Sequence, residues 1–241
     1  MLHNDLIGLG LYMGYFIAIG LPLVLFNIYF DAPFEVSRKM LHFVIIFSIF
    51  PLVMLFSNWY MAVLAAFILV LVMYPVLKLM EHSSFYKRIA VERECGEFKS
   101  SLVIVQVSIS ALIFIFWGLL GEEWRYIAVV AVMAWGFGDA AAALVGKAIG
   151  RRRIMHPRIE GAKTFEGTLA MFIVAGLAVF FSLLIYAGQP WYVSFIVALL
   201  VAPVSAAVEL FSNRGMDTLT VPLSTAFAVL PLMLLFSFLG V

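Results

Sequence analysis

The sequence predicts an all-α bundle of about eight membrane-spanning helices. Of its 241 residues, 65% are hydrophobic and 12% are charged, and the mean hydropathy is +1.10. Soluble domains contain roughly 45–50% apolar and about 25% charged residues, so this excess indicates an integral membrane protein. Long apolar stretches recur along the whole chain without strand-like alternation, which favours helices over a barrel.

Eight apolar stretches are each close to the length of about 20 residues that a helix needs to cross the hydrocarbon. They are residues 6–30, 40–56, 59–79, 101–120, 126–145, 165–187, 191–211 and 219–239. The second is short, but Phe34 and Val36 can lengthen it and Pro51 favours a kink. We expect one transmembrane domain, residues 1–241. Its charged connector, residues 80–100, is either an interfacial helix or a solvated link.

The basic residues predict how these spans are oriented. Fourteen of the fifteen Lys and Arg residues lie in or beside every second loop between the spans, which places them on one side of the membrane. Only Arg125 lies on the other side. Cytoplasmic loops carry such an excess of positive charge, so both termini are predicted to lie outside. We expect a multi-pass protein of a bacterial or archaeal cytoplasmic membrane. The net charge of +1 argues for no particular partner, and we expect no nucleic acid among the partners.

A carboxylate, Asp139, stands inside the fifth apolar stretch. If that helix ends at Val145, six residues later, Asp139 lies ~10 Å below the cytoplasmic end. A carboxylate at that depth is costly unless it faces a polar cavity, a cation or a metal ion. Gly138, Ala142 and Gly146 form a small-residue stripe, which predicts close helix packing beside Asp139. Alternatively, Asp139 only pairs with a cation and holds helices together.

A basic loop and a helix start follow Asp139. The loop and its borders carry Lys147, Arg151, Arg152, Arg153, Arg158 and Lys163. Thr164 is a predicted N-cap, and the free N–H groups of the next helix, together with Lys163, favour an anion there. Glu166 in the first turn is either ordinary helix-dipole chemistry or a metal ligand. No Walker P-loop occurs, because Gly146 and Lys147 are followed by Ala148.

Two further polar clusters lie at cytoplasmic span ends. In the first, Arg38 and Lys39 lie four and three residues before His42, so all three can share one helix face. They predict either a phosphate cradle, with His42 able to carry a proton, or snorkelling cations at the headgroup level.

The second cluster follows the seventh stretch, where Glu209, Asn213 and Asp217 have the spacing of oxygen ligands for Mg²⁺. In the alternative interpretation, Asp217 caps the last helix and pairs with Arg214. All the polar clusters fall on one predicted side of the membrane. This one-sided arrangement favours a metal–nucleotide site at the inner leaflet.

These motifs together resemble the dolichol kinase, phytol kinase and CTP-dependent diacylglycerol kinase family. They are Arg38-Lys39-x-x-His42, Gly138-Asp139-Ala140-Ala141-Ala142 with Gly146 and Gly150, Lys163-Thr164-x-Glu166-Gly167, and Asp217-x-Leu219-Thr220-Val221-Pro222. The likeness runs from Arg38 to Pro222 with the motifs in the family's order. It implies a polytopic enzyme that transfers phosphate from CTP, with Mg²⁺, to a polyprenol, a phytol-like alcohol or diacylglycerol.

The resemblance and the residue chemistry together define three candidate sets. The catalytic candidates are Asp139, Lys163, Glu166 and His42. The candidates for binding nucleotide phosphates are Arg38, Lys39, Lys147, Lys163, Thr164, Gly167 and Arg214. The candidate metal ligands are Asp139, Asp217 and Glu209.

Two rival functions stay open at the level of the sequence. The motif around Asp139 is also similar to that of CDP-diacylglycerol synthases, which would make the chain a cytidylyltransferase. The end of the chain, from Arg214 to Pro222, follows the kinase pattern and lacks the Lys-Asp-x-Gly signature of those synthases. The second rival is a transporter with Asp139 as a substrate or proton site, but such proteins need polar residues at mid-membrane and access from both sides.

Overall fold

The computed structural model describes residues 2–30, 34–81, 97–156, 159, 163–212 and 216–240. Within these residues the chain is helical, and β-pairing is limited to one isolated bridge between Arg153 and Thr164. Among the described residues, eight helical segments are long and apolar enough to cross a membrane. The predicted all-α bundle of about eight spans is therefore confirmed, whereas the side on which the termini lie stays a prediction.

The helices fall into two compact units, Met1–Glu122 and Glu123–Val241. The described residues of the first unit form six α-helices: α1 (Leu2–Tyr15), α2 (Leu21–Tyr29), α3 (Phe34–Phe47), α4 (Ile49–Met54), α5 (Trp59–Met80) and α6 (Glu97–Ile113). π-helical turns at Phe16–Gly20 and Phe114–Leu119 join α1 to α2 and extend α6. Most of the predicted connector at 80–100, including Cys95, lies outside the described residues.

The second span divides into α3 and α4 at Ser48. Pro51 has no N–H to offer the carbonyl of Phe47, four residues earlier, and a proline ring crowds that carbonyl. The helix accordingly breaks after Phe47, and the Ser48 hydroxyl donates to the Ile45 carbonyl at 2.6 Å. The span begins at Phe34, so the predicted lengthening occurs, and the helix is interrupted at Ser48, three residues before Pro51.

The interior of the first unit contains hydrogen-bonded polar groups among apolar side chains. Tyr12 is fully buried and its hydroxyl donates to Gln106 Oε1 at 3.3 Å. Asp5, which is 3% exposed, accepts from the backbone N–H of Ser57 at 3.0 Å. Because a buried polar group is costly without a partner, these bonds fix how α1 lies against the other helices of its unit.

In the part of the second unit that the structure describes, four long helices form a bundle. They are α7 (Tyr126–Ile149), α8 (Phe165–Phe181), α9 (Trp191–Phe211) and α10 (Asp217–Phe238), with a π-helical turn at Ser182–Tyr186 after α8. Each helix packs against the next one in the chain, and α10 packs back against α7. The second unit contains Asp139 and every described candidate residue that follows it in the sequence.

Small residues let α7 and α8 approach closely. A Cβ atom at Gly138 would lie 3.2 Å from Ala175 Cβ and would collide with Met171, which is fully buried. In the first turn of α8, a Cβ at Gly167 would lie 3.0 Å from the Ala142 carbonyl oxygen and 3.4 Å from Gly146 Cα. The predicted stripe on α7 thus packs against a matching stripe on α8.

We predict that Gly138→Ala destabilises the second unit by about 1–3 kcal/mol, because the added methyl overpacks a site with no free volume. Thermal unfolding in detergent measures this. The matched control is Gly14→Ala in α1, where a Cβ would meet nothing within 4 Å. That control should be neutral or stabilising, since alanine favours helix more than glycine does. Equal melting temperatures for the two variants would contradict the close packing.

Candidate functional site

The connection between α7 and α8 returns on itself and forms the frame of the candidate site. Ile154 N–H donates to the Lys163 carbonyl at 2.9 Å, and Phe165 N–H donates to the Arg152 carbonyl at 2.9 Å. These bonds flank the bridge between Arg153 and Thr164. Arg151, Arg152 and Arg153 are exposed at the beginning of this loop, so their positive charge lies next to the start of α8.

Thr164 is the N-cap of α8, as predicted. Its side chain accepts the Gly167 N–H at 3.1 Å, and Thr164 itself is 7% exposed. The first N–H of the helix, from Phe165, is already bonded to Arg152. An anion at this helix start would therefore replace bonds that the chain makes to itself, instead of filling free N–H groups as predicted.

Glu166 turns back to the loop. Both of its carboxylate oxygens lie 3.3 Å from the Arg152 backbone nitrogen, which donates to them. A carboxylate in the first turn of a helix also interacts favourably with the helix dipole. In this structure Glu166 therefore fixes the loop at the start of α8.

Lys163 connects the start of α8 to the end of α9. Its Nζ donates to the carbonyls of Glu209 and Ser212, the latter at 3.1 Å, and forms an ion pair with Glu209 Oε1 at 3.1 Å. The last carbonyls of a helix lack helical partners and carry partial negative charge, so a cation stabilises them. The Lys163 side chain is 21% exposed, so it is half-buried at a helix junction and less accessible than an exposed helix start suggests.

Asp139 lies deeper in its helix than the sequence indicated. The helix continues through Gly146 and ends at Ile149, four residues beyond the expected end at Val145. Asp139 is therefore ten residues from the helix end, which corresponds to ~15 Å along the axis. The side chain is partly exposed and Gly138 beside it is buried, as expected for a residue next to the packing stripe.

Asp139 and Asp217 lie at different depths in the second unit. Contacts between neighbouring helices show which residues lie at the same depth. Gly138 of α7 lies beside Ala175 of α8, Gly176 of α8 lies beside Ala202 of α9, and Ser205 of α9 lies beside Thr225 of α10. Asp139, which follows Gly138, is therefore at about the depth of Thr225. Asp217 is the first residue of α10, and Thr225 follows eight residues later, ~12 Å along that helix. Two short aspartate side chains so far apart do not bind one Mg²⁺ ion directly, since its ligands lie about 2.1 Å from it.

The other candidate metal ligand, Glu209, is already paired with Lys163. Among the described residues, no three His, Cys, Asp or Glu side chains are grouped as a metal site requires. The three predicted metal ligands therefore do not form one ready-made cage. A Mg²⁺ ion that arrives bound to a nucleotide needs only one or two of them, because phosphate oxygens supply other ligands.

The remaining candidates are distributed as follows. Arg38, Lys39 and His42 lie on α3 in the first unit, where Lys39 is 3% exposed. Lys147 is exposed in the last turn of α7, and Gly167 packs against α7 instead of facing a cavity. Arg214 lies outside the described residues.

The structure adds three residues that sequence reasoning did not assign to the site. Ser212 provides a carbonyl to Lys163, and its hydroxyl lies 2.7 Å from the Thr220 hydroxyl. His156 from the basic loop makes an edge contact with the Phe211 ring, with the ring centroids 6.2 Å apart. Ser212 directly follows the apolar stretch that ends with Phe211, but only the fold shows its partners.

The comparison with curated proteins identifies a relative for part of the chain. Phytol kinase from Synechocystis sp. is 42% identical over 97 residues, which is 40% of this chain and 40% of that protein. The matched region therefore spans well under two thirds of the relative's length. Within it, the similarity confirms the resemblance to phytol and dolichol kinases. No protein-family profile matches the chain, and no solved structure does.

We predict that Lys163→Met lowers the free energy of unfolding by about 1.5–3 kcal/mol, because charge-assisted bonds to the end of α9 are lost. Combining it with Glu209→Gln should cost less than the sum of the single changes, by about 0.5–3 kcal/mol, since the two side chains are paired. Thermal or denaturant unfolding in detergent measures all three variants.

Lys78→Met is the matched control for this cycle, because it removes an exposed cation from the last turn of α5. Its effect should stay within about 0.5 kcal/mol. Additive effects of Lys163→Met and Glu209→Gln would show that the ion pair does not stabilise the helix junction.

Proposed function

We propose that this chain is a membrane-embedded kinase that transfers a phosphoryl group from CTP to a lipid alcohol. The observation that carries the proposal is the 97-residue match, at 42% identity, to a protein named phytol kinase. The eight apolar helices support an enzyme that meets its lipid substrate within the bilayer. An isoprenoid alcohol of the phytol kind is the proposed acceptor, and the proposed site lies on the cytoplasmic side.

The charges of the second unit support phosphate handling. Arg151, Arg152 and Arg153 are exposed beside the loop, and Lys163 holds its charge at the junction of α8 and α9. Glu209 neutralises that charge when no ligand is bound. A nucleotide triphosphate carries several negative charges, so it can compete with one carboxylate for Lys163 Nζ. We propose that Lys163 exchanges Glu209 for a phosphate oxygen when CTP binds.

The reaction requires positioning and charge neutralisation more than covalent chemistry by the protein. The alcohol oxygen forms a bond to the γ-phosphorus of CTP, the bond from that phosphorus to the β–γ bridging oxygen breaks, and CDP leaves. The hydroxyl proton passes to a base, for which the carboxylates Asp139 and Glu166 of the second unit are the candidates. A Mg²⁺ ion bound to the nucleotide would neutralise phosphate charge, with Asp139 as the proposed protein ligand.

A direct assay tests the proposed function. Purified protein receives CTP labelled in the γ-phosphate, with phytol, a polyprenol or diacylglycerol as acceptor and ATP as the alternative donor. The kinase should form labelled lipid phosphate and release CDP. Release of pyrophosphate with a CDP-lipid product would instead identify a cytidylyltransferase. Consumption of neither nucleotide, in protein that binds CTP and is folded, would reject both enzymes.

We predict that Asp139→Asn preserves expression and thermal stability but lowers turnover by at least 100-fold. The side chains have nearly the same size, so the packing at Gly138 should survive, whereas an amide lacks the charge that a divalent cation requires. Asp5→Asn is the matched control, because Asp5 is also a membrane-span carboxylate and an amide oxygen can still accept from Ser57. That control should retain activity.

The two measurements separate the interpretations of Asp139. If Asp139 only pairs with a buried cation, its loss leaves that cation uncompensated, which costs about 3–5 kcal/mol. Stability and activity would then fall together. A stable Asp139→Asn protein with near-normal activity would remove Asp139 from the site.

A further inference from the structure

A pocket opens between the last turn of α9 and the first turns of α10. Its volume is about 440 Å³, which falls within the roughly 300–1,000 Å³ of small-molecule pockets. The described residues that line it are Ala207, Val208, Phe211, Ser212, Met216 and Thr220. Phe211 is 52% exposed and Met216 is 49% exposed, so the pocket opens at the outer surface of the bundle, where a lipid can reach it laterally.

Two hydroxyl groups form the polar part of this lining. The oxygens of Ser212 and Thr220 lie 2.7 Å apart. Ser212 Oγ also lies 2.7 Å from the Val208 carbonyl, and Thr220 Oγ1 lies 2.9 Å from the Met216 carbonyl. The two hydroxyls have two hydrogens for these three contacts, so both hydrogens are used within the protein. The oxygens retain lone pairs that can accept a hydrogen bond from a ligand hydroxyl.

The pocket adjoins the charged side of the candidate site. Ser212, whose hydroxyl lines the pocket, provides its carbonyl to Lys163 Nζ at 3.1 Å. The Phe211 ring contacts His156 of the basic loop. Asp217 lies three residues before Thr220 on α10, so the carboxylate and the hydroxyl are neighbours on one helix face. A hydroxyl in the pocket would thus lie beside the residues that are proposed to handle phosphate.

We infer that this pocket binds the hydroxyl end of a single-chain lipid alcohol, with Ser212 and Thr220 contacting the hydroxyl and Phe211 and Met216 contacting the first carbons. This inference rests on the proposed function and specifies its acceptor site. The rest of the alcohol's hydrocarbon chain extends into the bilayer, because the pocket opens at the outer surface of the bundle.

The lining also selects among lipid alcohols. Diacylglycerol carries two ester groups next to its hydroxyl, and ester carbonyls placed against Ala207, Val208 and Phe211 would lose hydrogen bonds to water. Burying such polar groups without partners is unfavourable, whereas the carbons of an isoprenoid alcohol bury well there. The pocket therefore favours an ester-free, single-chain alcohol over diacylglycerol.

Filling the pocket tests the inference. Ala207→Trp places a large ring in the cavity, and Leu200→Trp is the matched control, since Leu200 is 50% exposed on the same helix and does not line the pocket. With phytol and CTP, Ala207→Trp should lower kcat/KM for the alcohol at least tenfold and leave KM for CTP within twofold. The control should resemble the unmodified protein in both constants.

The outcomes separate this inference from the proposed function. If the unmodified protein phosphorylates none of the alcohols tested, the proposed function fails and the acceptor site fails with it. If it phosphorylates phytol but Ala207→Trp behaves like Leu200→Trp, the function stands and the pocket is not the acceptor site. A preference for diacylglycerol over phytol would also overturn the assignment.

Cross-linking of the unmodified protein covers the case in which Ala207→Trp does not fold. Geranylgeraniol with a diazirine beside the hydroxyl is photolysed with the protein, and peptides are analysed by mass spectrometry. Labels at Phe211 or Met216 that excess phytol removes are expected. Labelling confined to other spans, or labels that phytol does not displace, would refute the proposed acceptor site.

Discussion

The close approach of α7 and α8 is the constraint on which the second unit depends. Gly146 faces Thr164 and Gly167 so closely that a Cβ at Gly146 would lie 3.2 Å from Thr164 Oγ1. Any larger residue on this seam would push the start of α8 away from α7. The bridge between Arg153 and Thr164, and with it the position of Lys163, would then move too. Glycines that carry no chemistry thus determine where the charged groups lie.

Lys163 joins helix stability to the proposed chemistry. It neutralises the carbonyl end of α9 and pairs with Glu209, so the same ammonium group that is proposed to bind phosphate also holds two helices together. A cation with three donors can keep its carbonyl partners while it exchanges a carboxylate for a phosphate. Without a ligand, the Glu209 carboxylate would take the place of the bound phosphate. The charge of Lys163 would then be compensated both with and without the nucleotide.

Features set by local periodicity could be predicted from the sequence. The eight spans, the stripe containing Gly138 and the N-cap at Thr164 each follow from residues within one helix. The partner of Lys163 could not be predicted, since Glu209 lies 46 residues further along the chain. The depth of Asp139 was misjudged because hydropathy falls at Gly146, although the backbone stays helical to Ile149. Polar residues at a span end reduce the hydropathy signal without ending the helix.

The depth of Asp139 constrains any mechanism for this chain. A lipid hydroxyl prefers the headgroup region, and the pocket at Ser212 and Thr220 lies at the end of a span, near the start of α10. Thr220 lies five residues before Thr225 on α10, so Asp139 lies ~7.5 Å further into the bundle than the hydroxyl of Thr220 in the pocket. It is therefore better placed to act on the nucleotide or its ion than on the acceptor hydroxyl in the pocket. If it does so, part of the nucleotide reaches below the pocket level, and the acceptor and donor would approach one another along the membrane normal.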